Sequence, residues 1–136
     1  ANILLGMEAG HAARLAAEQM GSHGTAIINT WQYHPPYVPP PHTKYPTVEK
    51  VLELLGGLLD RVIPVDAAGL AKEAGDPKLA QGVLELVMLG ALMGTGLLPF
   101  SANDTEEVLI RLCQPEQQEK ELLAYRLGVQ ATATAA

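Results

Sequence analysis

The chain predicts a three-layer α/β fold, an open and mostly parallel sheet flanked by helices and incomplete at its N-terminal side. Three observations predict it. Short apolar runs alternate with helix-period stretches in the order strand, helix, strand, helix, strand, helix, and that alternation implies parallel strands joined by right-handed crossovers. The apolar content is 48% with only 4% aromatic, so Leu, Val, Ile and Ala must build the core. Only three strands can be found, fewer than an open sheet covered on both faces normally has. Further strands are therefore expected upstream or in a partner, and the abrupt start on a strand suggests a fragment. Residues 1–128 are expected to form one α/β domain, and 129–136 a frayed tail.

The first strand is Ile3 to Gly6, followed by a helical pattern through Ala17 that Gly21 and Gly24 stop. The second strand is Thr25 to Asn29. After a proline-rich arm, Thr47 is placed to cap a helix in which Val48, Val51, Leu52, Leu55, Leu58 and Leu59 form one apolar stripe, with Gly56-Gly57 weakening its end. The third strand, Arg61 to Asp66, contains Pro64, which demotes it to an edge or a bulge. It leads directly into a helix over Ala67 to Ala74. Lys78 to Met93 reads as a helix apolar on most sides and hence central. Two closing helices follow, one capped by Asn103 with Glu106 three residues on, the other with Pro115 in its first turn.

Composition narrows the function classes. A formal charge of −6 with scattered Lys and Arg argues against a phosphate-binding face, so no nucleic acid is expected. Cys113 is the only cysteine, which excludes an internal disulfide and any iron–sulfur cluster or zinc knuckle held by this chain alone. A reducing, cytoplasmic setting is the simpler reading. The N-terminus lacks the basic start of a signal peptide. The longest apolar run, Val83 to Phe100, is broken by Glu85, three glycines and Pro99, so a buried helix is preferred to a membrane span.

Thr25 to Pro46 is the most distinctive stretch, holding six of the ten prolines, three of the four tyrosines and the only tryptophan. Its prolines favour an extended, polyproline-like path. Own-domain packing and partner contact suit its rings equally. Asn29 and Thr30 are the candidate cofactor-binding residues, because ligands of open α/β sheets bind beyond the carboxyl ends of the strands; turn formation is the competing role. Asp66 could hold a ribose hydroxyl, but no glycine fingerprint precedes it and helix capping is preferred. His34 and His42 have no local carboxylate or cysteine, so no metal site is expected. His11 and His23 lack a partner pattern for general-base work. Cys113 has no activating His or Lys nearby and reads as an inert thiol. Gly94-Thr95-Gly96 reads as a helix stop, and Glu116, Glu119, Lys120 and Glu121 as a solvated face.

The succession ANILLGMEAGHAARL, GTAIINT, KYPTVEKVLELL, RVIPVDAAGLAKEAGDPKLA and VMLGALMGTGLLPFSANDTEEVL resembles the gamma subunit or domain of 2-oxoacid:ferredoxin oxidoreductases, which include the pyruvate, ketoisovalerate, 2-oxoglutarate and indolepyruvate enzymes. The resemblance runs to about Gly128 and implies a Rossmann-like fold. It departs from the family in two places: no GxGGQG turn is present, so this looks like the C-terminal half to two-thirds of the family domain, and the Trp31 to His42 arm is richer in proline and aromatics. The resemblance implies a holoenzyme with thiamine diphosphate, Mg²⁺, iron–sulfur clusters and coenzyme A. It puts the thiamine and clusters on other subunits or domains, with the gamma part packing against them beside the coenzyme A route. This chain would then be non-catalytic and inactive alone. Its expected partners are the other subunits, ferredoxin through the complex, and a homo-oligomeric mate, with no membrane. A free-standing nucleotide- or coenzyme-binding module, or an adaptor using the proline-rich arm 32–42, remain the alternatives.

Overall fold

A computed structural model describes residues 2–31, 47–78 and 80–133. Contacts divide the chain into two compact units, Ala1–Pro64 and Val65–Ala136. The proline-rich arm, with His34 and His42, lies outside the described residues.

The first unit is built on a three-stranded open parallel sheet with the order β1 (Ile3–Gly6), β2 (Thr25–Asn29), β3 (Arg61–Val65). β1 and β2 run parallel with Ile3 opposite Thr25 and Gly6 opposite Ile28. Of the described strands β3 stands at one edge of the sheet, where Pro64 can be tolerated because an edge need not supply every N–H. The expected α/β sheet is thus present, with its first two strands over the predicted residues. The third ends one residue early because Asp66 is already the N-cap of the following helix.

Helix α1 (Ala9–Leu15) follows β1 and continues into a π-helical turn, Ala16–Met20. Ala9, Ala12, Ala16 and Met20 pack with Ala26 and Ile28 of β2 and with Val51 and Leu55 of α2 (Val48–Leu58). The small side chains let the helix lie close to the strands, and Gly6 carries this to its limit. A Cβ there would stand 2.7 Å from both Ala12 Cβ and Ile28 Cδ1, closer than carbon atoms pack. The side chain of Thr47 caps α2 by accepting from Lys50 N at 3.2 Å, as the spacing predicted.

The second unit contains α3 (Ala67–Glu73), α4 (Gln81–Gly94), α5 (Ala102–Leu112) and α6 (Gln118–Ala133). α4 and α6 form its core. Val87, Met88, Ala91, Ala124 and Tyr125 are at most 1% exposed. Gly90, Gly94 and Gly128 sit where the helices touch, and a Cβ at any of them would run into the partner helix: Tyr125 O, Val129 O or Val87 O respectively. Thr132 Oγ1 donates to Ala91 O at 2.6 Å across the same contact.

Four further boundaries differ from the sequence reading. α4 begins at Gln81 rather than Lys78, because the buried carboxylate of Asp76 accepts from Ala80 N at 2.7 Å and holds the preceding residues in a turn. α5 is capped by Ser101 rather than Asn103: Ser101 Oγ accepts from Asp104 N at 3.0 Å and Asp104 returns the bond to Ser101 N. Pro115 precedes α6 instead of lying in its first turn, since Gln117 N closes a turn onto Gln114 O. The tail expected to fray from 129 is helical through Ala133, where buried Thr132 is fastened to α4. No helix among the described residues is long and apolar enough to cross a membrane.

Candidate functional site

The carboxyl ends of β1 and β2 are where an open α/β sheet would meet a ligand. Asn29 ends β2 and is 1% exposed. Its Nδ2 donates to Met7 O at 3.2 Å and its Oδ1 accepts from Trp31 N at 3.0 Å. The amide therefore ties the turn after β1 to the turn after β2. This gives Asn29 the turn-forming role that the sequence set beside a binding role. Thr30, next in the chain, is half-buried, and Trp31 is 39% exposed.

Across from them, the start of α1 carries the positive end of a helix dipole, the usual seat of a phosphate. Here the seat is taken by the chain's own carboxylate. Glu8 accepts from Gly10 N at 3.0 Å with Oε1 and from His11 N at 2.8 Å with Oε2. The sequence reading missed this cap because Glu is seldom an N-cap; the signal available was a carboxylate standing directly before the first helical alanine. Asp66 repeats the arrangement at α3, accepting from Gly69 N at 3.0 Å. Capping, the preferred reading for Asp66, is what its side chain does.

The other candidates fall into place one by one. His11 is exposed and its Nε2 is 3.9 Å from Glu8 Oε2. His23 does have a partner that no local pattern announced, Asp60, 3.5 Å away and 37 residues on. The Asp60 carboxylate also accepts from Gly24 N at 3.0 Å, and these two contacts hold its pKa below the usual value. Cys113 caps the C-terminus of α5, and burial, with Glu121 beside it, pushes its thiol up to about 11. At neutral pH it is not a thiolate. Gly94 ends α4 and Thr95 caps it, as the helix stop predicted. The charged run is less solvated than expected, because Lys120 Nζ reaches to 3.9 Å from the buried Asp76.

One open pocket of about 170 Å³ lies within the second unit, between the start of α5 (Ala102, Asn103, Glu106) and α6 (Tyr125, Arg126, Val129, Gln130). Its guanidinium and carboxylate are bonded to each other, Arg126 Nε to Glu106 Oε1, which raises the Arg126 pKa and leaves little net field for a charged ligand. The pair spans twenty residues, so no local spacing could reveal it.

Iron–sulfur clusters need several thiolates, and the sequence has one cysteine. Among the described residues no three His, Cys, Asp or Glu side chains gather as a metal would need. The donor set does not fit a cluster.

Residues 1–131 match the family described as pyruvate ferredoxin/flavodoxin oxidoreductase. The chain is also 30% identical over 128 residues to a protein of Archaeoglobus fulgidus, the indolepyruvate oxidoreductase subunit IorB, an alignment that covers 94% of this chain and 61% of that protein. The chain thus spans less than two thirds of the length of this curated relative. No solved structure matches it.

Proposed function

The chain belongs to the pyruvate ferredoxin/flavodoxin oxidoreductase family, and on that premise we propose that it is the gamma-type, non-catalytic part of a 2-oxoacid:ferredoxin oxidoreductase. The observation that carries this is the family match over residues 1–131, nearly the whole chain. The reaction would be oxidative decarboxylation of a 2-oxoacid to an acyl-CoA with reduction of ferredoxin. Indolepyruvate is a natural first substrate to test, since the named relative is an indolepyruvate oxidoreductase subunit.

In this reading thiamine diphosphate, Mg²⁺ and the clusters sit on partner chains in the cytoplasm. The present chain packs against those partners and borders the coenzyme A route at the strand ends. There Asn29 holds the turn and Thr30 offers the ligand contact. Glu8 and Asp66 support the reading over a free-standing nucleotide module, because each fills the helix N-terminus that a phosphate would use.

The test is purification of the protein from its native, anaerobically prepared extract, with partners identified by mass spectrometry and thiamine diphosphate and iron assayed. A co-purifying thiamine-binding chain with iron is the expected result. A lone protein with neither sinks the proposal.

A further inference from the structure

We propose that the outer edge of β1 receives one further strand, parallel to β1, aliphatic, uncharged and free of proline, from a polypeptide segment other than a second copy of this chain. The inference concerns the sheet of the first unit and goes beyond the subunit reading above. In the order β1-β2-β3, β1 is the outermost described strand on its side. Thr25 N donates to Asn2 O at 3.0 Å, and Ile3 stands opposite Thr25. Backbone groups alternate sides along a strand, so this register turns the N–H and C=O of Leu4 toward β2 and those of Ile3 and Leu5 away from it. No described strand lies on that side to receive them. Strand edges of this kind are templates for another chain.

The two edges of the sheet differ in chemistry. β3 carries Arg61 and the exposed Pro64, a charge and a missing N–H that blunt an edge. β1 reads Ile3, Leu4, Leu5, Gly6, without charge or proline. Apolar residues at successive positions belong to a parallel strand covered on both faces. Yet Ile3, Leu4 and Leu5 are only half-buried, whereas Ala26, Ile27 and Ile28 of the central β2 are 0% exposed. β1 thus has the composition of an interior strand in an edge position.

Two observations choose the occupant. A second copy related by a twofold axis would add an antiparallel neighbour, but this sheet is parallel, and sheets of one kind are favoured. The Archaeoglobus fulgidus relative extends well beyond the 61% of its length that aligns, enough chain to hold such a strand. The occupant is therefore a strand of the kind carried in that unmatched part.

The experiment titrates the isotope-labelled chain with synthetic peptides tiling the unmatched part of the relative, and follows amide hydrogen exchange by NMR and binding by fluorescence anisotropy. An apolar peptide should bind and slow exchange at Ile3 and Leu5, the outward amides, more than at Leu4 and Gly6, which already face β2. Ile3→Pro removes an outward donor at the start of the strand, where proline is tolerated, and should weaken binding by more than about tenfold; Ile3→Val keeps the donor and should bind as the wild type does. If Ile3→Pro fails to fold, the exchange pattern of the wild type decides alone. Peptides that leave the Ile3 and Leu5 amides unprotected would overturn the proposal, as would binding that Ile3→Pro, folded, does not weaken. A dimer of the chain that protects the same two amides would also overturn it, assigning the edge to a second copy.

Discussion

Tyr125 of α6 donates its hydroxyl to the carbonyl of Ala102, the first residue of α5, at 2.8 Å, with its ring 1% exposed. One partly buried bond thus ties the first turn of α5 to α6. Tyr125→Phe keeps the ring and removes the donor, leaving the Ala102 carbonyl without that partner. It should cost about 1–2 kcal/mol, measured by urea denaturation. Tyr125→Ala should cost about 3–5 kcal/mol through the cavity it leaves. Equal losses in the two variants would mean that the hydroxyl, not the ring, dominates.

Within the helices, glycines at a helix–helix contact and glycines facing open space should respond to alanine with opposite signs. At Gly90 and Gly128 a Cβ would collide with the backbone of the facing helix, which cannot move aside as a flexible side chain can. Gly90→Ala or Gly128→Ala should destabilise by about 1–3 kcal/mol or more. Gly56 and Gly57 lie within α2 with nothing within 4 Å of the added atom. Gly56→Ala should stabilise by up to about 1 kcal/mol, the ordinary helix propensity difference. Thermal melts of the three single variants check both signs.

Asp60 ties the start of β3 to the turn before β2. Its carboxylate pKa is lowered first by the Gly24 N–H and then by His23. A carboxylate with a depressed folded pKa adds stability that is fully present above its ordinary value near 3.8 and is lost as pH falls through the folded value. The wild type should therefore lose part of its stability on acidification below about pH 4, and Asp60→Asn should flatten that part of the profile. Because the group is exposed, the effect is expected to be small. Parallel acid limbs in the two proteins would show that the carboxylate contributes nothing.

Cys113, with its pKa pushed up to about 11 by burial, should be alkylated slowly. The thiolate fraction near neutral pH is roughly two orders of magnitude below that of an ordinary cysteine. Iodoacetamide labelling at pH 7.5 should be correspondingly slow in the folded protein and should approach the rate of a free thiol in denaturant. Fast labelling of the folded chain would mean that the thiol is open to solvent.

Local pattern made several parts of the fold legible. The strands at Ile3–Gly6 and Thr25–Asn29, the Thr47 cap, the Asp66 cap and the helix stop after Gly94 each follow from chemistry within a few residues. Boundaries failed where a competing local bond won: Ser101 outcompeted Asn103 because it forms the reciprocal pair with Asp104, and Asp76 held back the start of α4. The candidate site was half legible. Its position at the ends of the strands follows from topology, but its present occupants, Glu8 on α1 and the Asn29 amide bridging two turns, could not be weighed from the sequence.

The sequence by itself determined which segments become strand or helix and that the core is aliphatic, because periodicity, caps and proline act over one or two turns of chain. Tertiary structure alone decided the pairings of Gly90 with Tyr125, Thr132 with Ala91, His23 with Asp60 and Glu106 with Arg126. Those partners are 20 to 41 residues apart, and their meeting depends on how helices pack and strands register. It also decided that Val108 and Leu112 remain uncovered, since an amphipathic stripe has the same appearance in a sequence whether its apolar side faces a core or a partner.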